Sequence, residues 1–412
     1  MANVKPFICV RPNEKVVDKV AALPYDVYNR KEASDVVANN KLSFLNIDRA
    51  ETQFDDSVDT YAPEVYSKAK ELLDGMMEEG TFITDSDKCY YIYELTMDGR
   101  VQTGLVACSS IDDYQNNVIK KHENTRADKE QDRINHVDTC DAQTGPIFLA
   151  YRANDVIRGV VNKTKNEKTI YDFISDDGIN HRVWKIEDSS DITDVENAFG
   201  NINSIYIADG HHRAASAVKV GLKRREENPN YDGTEEFNYF LSVLFSDEEL
   251  MIMPYNRVVK DLNGHSKEEY IKLVSNCFDI TNVGKTPYSP NAKGTIGMYL
   301  DEEWYELVAK EEIKVDDPVE SLDVAILQNN LLTPILGIKD PRVDKRIDFI
   351  GGIRGLSELE KRCHEDMSIA FSMYPTSIQE LFNVSDAGML MPPKSTWFEP
   401  KLRSGLFIHK LS

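Results

Sequence analysis

Residues 204–217, SIYIADGHHRAASA, hold the densest concentration of reactive side chains in the chain. The apolar, β-branched run 204–208 reads as a short buried strand, and the Ala-rich run from about 214 to 225 as a helix. Between them stand Asp209, Gly210, His211, His212 and Arg213. A strand that turns sharply into a helix leaves the first backbone N–H groups without partners, and these and the helix dipole favour an anion. Gly210 lets a ligand approach the backbone. Arg213 offers a planar fork for phosphate. His211 and His212 can donate hydrogen bonds or move protons near neutral pH. Asp209 can hold a divalent cation or accept a proton. The plainer alternative is an Asp-Gly turn in which Asp209 only caps the helix. Five polar or special residues between two apolar elements are more than such a turn requires.

A second polar cluster is Lys120-Lys121-His122-Glu123-Asn124-Thr125-Arg126, followed by Asp132-Arg133. His122-Glu123 starts like a zinc-protease motif, but Arg126 stands where the second histidine would be, which rejects that reading. A positive cluster holding one Glu and one Thr suits a phosphorylated ligand with magnesium, Glu123 being ligand or general base. The alternative is a solvated helix face with charge pairs at helical spacing. Lys394-Ser395-Thr396, after Pro392-Pro393, is a weaker phosphate candidate that also reads as an exposed loop. The Asp112-Asp113 and Asp316-Asp317 pairs read as solvated turns.

The elements that must position these residues follow from periodicity. Residues 6–10 read as a first strand, 24–27 as a turn, and 30–39 as a helix capped by Asn29. Residues 44–47 read as a strand. Apolar residues at helical spacing predict a long helix over 57–79, with Pro63 near its first turn. Residues 89–97 and 100–109 alternate around Asp98-Gly99, a strong hairpin signal. A strand is expected at 145–151, a second hairpin at 169–186, adjacent strands at 237–245 and 250–259, and a third hairpin at 294–309. Helices are expected at 267–276, 323–332 and 356–363. Hairpins mixed with helices make the expected class α+β.

The 412 residues allow two or three domains. Lys+Arg total 48 against Asp+Glu 70, a net charge of −22. Such a surface repels nucleic acid and anionic membranes, so neither is an expected partner. The six cysteines are scattered without a C-x-x-C pair, which fits reduced thiols. With no leader or membrane-spanning run, the expectation is a cytoplasmic protein. Oligomeric state is not readable.

Ala208-Asp209-Gly210-His211-His212-Arg213 resembles the signature of the DUF1015 family of bacterial and archaeal proteins. Arg11-Pro12, residues 24–27, His122-Glu123 with Thr125, Asp132-Arg133, residues 145–148 and the tail 391–406 match in the same order. At the DGHHR stretch the family is similar to free serine kinases of the ParB/sulfiredoxin-like superfamily. The resemblance implies a ParB/sulfiredoxin-like core built around the strand–turn–helix, within 1–260, with a hairpin-containing insertion around 85–190. A C-terminal α/β region over 261–412 would pack on it. It further implies a phosphotransferase interconverting free serine and O-phosphoserine, with ATP or ADP as co-substrate and Mg2+. On that reading Gly210, His211, His212, Arg213, His122, Arg133 and Lys394 meet nucleotide or phosphate, and Asp209 holds the metal. Glu123, His212 or Asp26 does the catalytic work, a carboxylate taking the hydroxyl proton. The alternative is a ParB-like switch that binds or hydrolyses nucleotide and regulates a partner. Sulfiredoxins carry Cys where His211 stands, which argues against sulfinic-acid chemistry. The family often has His before the Arg of the 254–257 stretch, where this chain has Asn256.

Overall fold

The computed structural model describes residues 1–412 as two compact units, Met1–Leu250 with Pro400–Ser412, and Met251–Glu399. This differs from a simple division near 260, because the final segment folds with the first unit.

The first unit is built on a nine-stranded mixed sheet. Its strands in chain order are β1 (Tyr90–Met97), β2 (Arg100–Ser110), β3 (Ile119–Lys120), β4 (Ile147–Tyr151), β5 (Tyr171–Ile174), β6 (Asn180–Ile186), β7 (Ile205–Asp209) and β8 (Tyr239–Ser246). They lie in the order β3-β7-β4-β8-β2-β1-β6-β5, with Val4–Lys5 pairing beside β2. The β1–β2 hairpin turns on Asp98 and Gly99, both at positive φ, as its sequence requires. The expected hairpin at 169–186 is β5 and β6. Ile92, Leu105, Leu149, Ile207 and Leu244 meet in the core on one side of the sheet.

Four helices of this unit bear on the site: α1 (Arg30–Asn39), α2 (Pro63–Glu78), α3 (Ala127–Cys140) and α4 (His211–Glu227). Asn29 and Glu32 form a reciprocal cap on α1. Helix α2 begins at Pro63 rather than at 57, since proline is accommodated where no N–H partner is needed. Residues 44–47 are not a strand: Leu45–Asp48 is a helical turn with every side chain buried. A short apolar run does not distinguish the two states, and here Ser43 Oγ accepts the Leu45 N–H and nucleates the turn. Asp113, expected in a solvated turn, is buried and accepts the Asn3 N–H at 2.6 Å. A small sheet pairs Phe82–Thr84, Cys9–Pro12, Ile408–Lys410 and Ala142–Gln143 in that order, which ties the C-terminal tail into this unit.

The second unit carries a six-stranded antiparallel sheet that includes the hairpin Thr295–Leu300 with Glu303–Ala309. Tyr255–Val259 belongs to it, paired with Ile347–Gly351 and Ile369–Met373. It does not pair with β8, which instead lies between β2 and β4. The helices expected near 267 and 356 are present as Lys267–Val274 and Leu356–Glu365. Leu359, Trp304, Val258 and Ala370 form its core. No helix of the chain is long and apolar enough to cross a membrane.

Candidate functional site

The site forms where β7 ends. The register of β7 against β4 shifts between Ile207 and Asp209, so a bulge at Ala208 re-aims the strand before its turn. Gly210 then takes φ +93°, a left-handed conformation that a side chain resists. A Cβ there would also come within 3.2 Å of the Arg213 guanidinium. Helix α4 starts at His211, three positions earlier than the apolar pattern alone indicates, so both histidines and Arg213 occupy its first turn.

Residues 120–126 are not a helix face. Lys120 lies in β3, whose parallel pairing places Lys120 opposite Tyr206, and the chain then runs as a loop to α3. This brings His122 onto His211, their rings edge to face with centroids 4.5 Å apart. Both imidazoles are buried. His122 Nδ1 and His211 Nε2 have no hydrogen-bond partner in the protein. Burial lowers the His122 pKa to about 4 and holds His211 well below the usual imidazole range, the neighbouring ring adding to the effect on His211. Both are therefore neutral at physiological pH. Glu123 Oε2 stands 3.9 Å from His211 Nδ1, on a half-exposed side chain. His212 Nε2 accepts the Arg126 N–H at 2.9 Å, which leaves the proton on Nδ1 as a donor. Burial lowers its pKa, while the carboxylates of Asp26 and Glu130 oppose that shift.

Asp209 accepts from Lys401 Nζ at 3.0 Å and from the Gly210 N–H at 2.7 Å. Despite burial, which acts the other way, Lys401 and Arg213 hold its carboxyl far below the usual carboxylate range. Arg213 Nη1 donates to the Pro146 carbonyl at 2.6 Å. Gly145 makes room for this: a Cβ there would lie 3.0 Å from Ser404 Oγ and 3.6 Å from Arg213 Nη1.

Arg133 is buried, ion-paired with Asp132 at 3.0 Å, and stacked 3.9 Å from the centre of the Tyr25 ring. Arg49 donates to the carbonyls of Tyr25 and Tyr28, holding the turn that carries Asp26, whose own side chain is exposed. Arg133 and Arg213 line a cavity of about 30 Å3 with Tyr25, Asp48, Thr144 and Ser404. A second cavity of about 60 Å3 lies along Arg133, Asp132, Tyr66 and Glu51. These spaces are of water size.

The structure thus gathers Asp209, Gly210, His211, His212, Arg213, His122, Glu123 and Asp26 around one helix N-terminus, with Arg133 behind Tyr25. Lys394 belongs to the second unit. Lys401 is a residue that sequence reasoning missed; a lone Lys after Pro400 carries no local signal for a carboxylate 192 positions away. The donors do not form a ready-made magnesium site. No group of three or more His, Cys, Asp or Glu side chains is arranged to hold a metal ion, and the Asp209 carboxylate is already paired with an ammonium.

No curated protein matches the chain. Among solved structures it is similar to a free serine kinase in complex with AMP, at 12% identity and TM-score 0.35, covering 72% of this chain and 86% of that one. It is also similar to SbnI with a C-terminal truncation from Staphylococcus aureus, at 10% identity and TM-score 0.37, covering 71% and 82%. A conserved hypothetical protein from Pyrococcus furiosus gives 12% identity and TM-score 0.35, covering 74% and 94%. The family profile that matches residues 4–325 is described as protein of unknown function, and the chain belongs to this family, DUF1015.

Proposed function

We propose that this protein is a nucleotide-dependent phosphotransferase acting on a small-molecule hydroxyl, free serine and O-phosphoserine being the interconverted pair. One observation carries the reading. In a chain of net charge −22, segments remote in sequence converge to set two cations, Arg213 and Lys401, and three neutral imidazoles around the start of α4. Neutral imidazoles, backbone N–H groups and a guanidinium are donors suited to phosphate oxygens. Phosphoryl transfer needs mainly such positioning and charge neutralisation.

In the proposed reaction the nucleotide phosphates sit on Gly210, the first turn of α4 and Arg213, with His212 Nδ1–H as a further donor. The acceptor oxygen bonds to phosphorus as the bond to the nucleotide's leaving oxygen breaks. The acceptor proton passes to Glu123, whose half-exposed carboxylate beside His211 leaves room for a substrate. Asp26, on its clamped turn, is the alternative base. Arg133 acts by holding Tyr25 rather than by touching phosphate, because Asp132 already meets its charge. Asp209 orients Lys401; a magnesium ion arriving with the nucleotide would have to share that carboxylate with the ammonium, and no step is assigned to it. The bulged strand, glycine turn and helix are the portion proposed to be of ParB/sulfiredoxin-like type.

The test is incubation of the protein with ATP or ADP, magnesium, and a pool of amino acids and their phosphates, followed by mass analysis. The expected product is O-phosphoserine from serine, or the reverse. Nucleotide hydrolysis without transfer would favour a switch, and absence of nucleotide binding would end both readings.

A further inference from the structure

In the second unit, Arg257 is 3% exposed and forms no ion pair with any carboxylate. An isolated buried guanidinium is costly unless something answers its charge. Its only protein acceptors are two backbone carbonyls, those of Tyr255 and Lys394, the latter at 3.0 Å. A guanidinium has more N–H donors than these two oxygens use. The carbonyl it grips belongs to the residue that brings a second cation. Lys394 takes φ +59°, unusual for a residue with a side chain, in a turn closed by Ser395 Oγ on the Pro392 carbonyl and by Thr376 Oγ1 on the Ser395 carbonyl. The Lys394 ammonium lies 5.6 Å from the centre of the Tyr255 ring and has no carboxylate partner either. Tyr255 packs edge-on against Trp397 at 5.0 Å, and Arg257 lies 5.4 Å from the Phe349 ring centre. Two cations without a carboxylate partner thus share one aromatic platform, in a strongly acidic chain that pairs most of its other arginines.

We propose that Arg257 and Lys394 form an oxyanion-binding site for a phosphate or carboxylate group of a small ligand, with Arg257 both contacting the anion and fixing the strained turn that presents Lys394. The proposal does not depend on phosphotransferase activity: the family resemblance counts Lys394 among phosphate contacts, but the anion site argued here rests on Arg257 and its surroundings within the second unit.

The experiment is calorimetric titration of the full chain carrying Arg213→Ala, which weakens the other phosphate candidate, with pyrophosphate and separately with malonate. Saturable binding of either anion is expected, pyrophosphate marking a phosphate ligand and malonate a carboxylate one. Adding Lys394→Met, at an exposed side chain, should lower that affinity about tenfold or more. Arg257→Lys, which keeps the charge but loses the fork, should do the same. Circular dichroism and thermal melting show whether each variant remains folded; Lys394→Met carries the test if Arg257→Lys does not fold. No saturable binding of either anion, or unchanged affinity in a folded Lys394→Met variant, overturns the site. If the protein binds no nucleotide at all, the phosphotransferase assignment fails while this one is unaffected.

Discussion

Two sets of buried histidines in the first unit invite comparison. His181 is fully enclosed, between the rings of Tyr93 and Phe173. Its Nδ1 meets Tyr93 Oη at 2.8 Å, and its Nε2 meets Ser175 Oγ at 3.0 Å and accepts from Arg403 Nε at 3.3 Å. Arg403 in turn pairs with Asp177. His122 and His211 are buried to a similar degree, yet each keeps one nitrogen without a protein partner. All three pKa values are lowered by the same cause, burial. Burial and titration behaviour therefore do not separate a structural histidine from one that awaits a ligand; hydrogen-bond satisfaction does. Buried polar groups left unmet are costly, so a fold keeps them where an outside group completes them.

The largest expected effect falls on the unsatisfied cluster. Glu123→Gln should reduce turnover about 10²–10⁴-fold with little change in nucleotide affinity. Steady-state kinetics beside calorimetry separates the two quantities. Near-normal turnover in Glu123→Gln, with loss in Asp26→Asn, would transfer the base to Asp26.

A matched pair of substitutions tests the contrast itself. His181→Phe leaves Tyr93 Oη, Ser175 and Arg403 without their ring partner and should cost about 2–4 kcal/mol in urea unfolding, with nucleotide affinity retained below the melting temperature. His211→Phe removes Nε2, which already lacks a partner, and Nδ1, which stands 3.9 Å from the half-exposed Glu123 carboxylate. It should change stability by less than about 1 kcal/mol while abolishing tight nucleotide binding. The reverse pattern would show that the satisfied cluster is the functional one.

Arg213→Ala should weaken nucleotide binding by about 1.5–3 kcal/mol, roughly tenfold or more, in a folded protein. Its contact with the Pro146 carbonyl makes a small stability loss expected as well. Calorimetry with unchanged affinity would remove Arg213 from the site.

The last test reads pH dependence, as a slope rather than a loss of function. For His122 the folded pKa is about 4 and the unfolded value about 6.5. Above pH 6.5 neither state binds the proton and the full stability is present. Between pH 6.5 and 4 the unfolded chain takes up the proton first, so stability falls on acidification by about 1.4 kcal/mol per pH unit per histidine at most. His181, lowered to about 3, acts in the same direction over the same window. His122→Gln should flatten the slope measured by urea unfolding at pH 7, 5.5 and 4.5, and an unchanged slope would mean that His122 is not neutral in the folded protein.

Much of the local structure was legible. Asp98-Gly99 dictated a hairpin because type I′ turns need positive φ, and Asn29 with Glu32 dictated a helix start through reciprocal capping. Residues 44–47 misled because a short apolar run lacks enough period to choose between strand and helix. Residues 120–126 carried helix-like charge spacing, but pairing of Ile119 and Lys120 beside β7 set their course.

At the candidate site, the residue types and their local order came from the sequence alone: the apolar strand, Gly210 at the turn, and His211, His212 and Arg213 crowding the first turn of a helix. Those features depend on neighbours a few positions apart, which periodicity and turn chemistry encode. Tertiary structure alone decided that His122 meets His211, that Lys401 neutralises Asp209, and that Asp132 occupies Arg133. It also decided which buried nitrogens go unmatched. Such pairings depend on strand order and on where the tail returns, and hydrogen-bond satisfaction is a property of the packed chain, which no stretch of residues carries by itself.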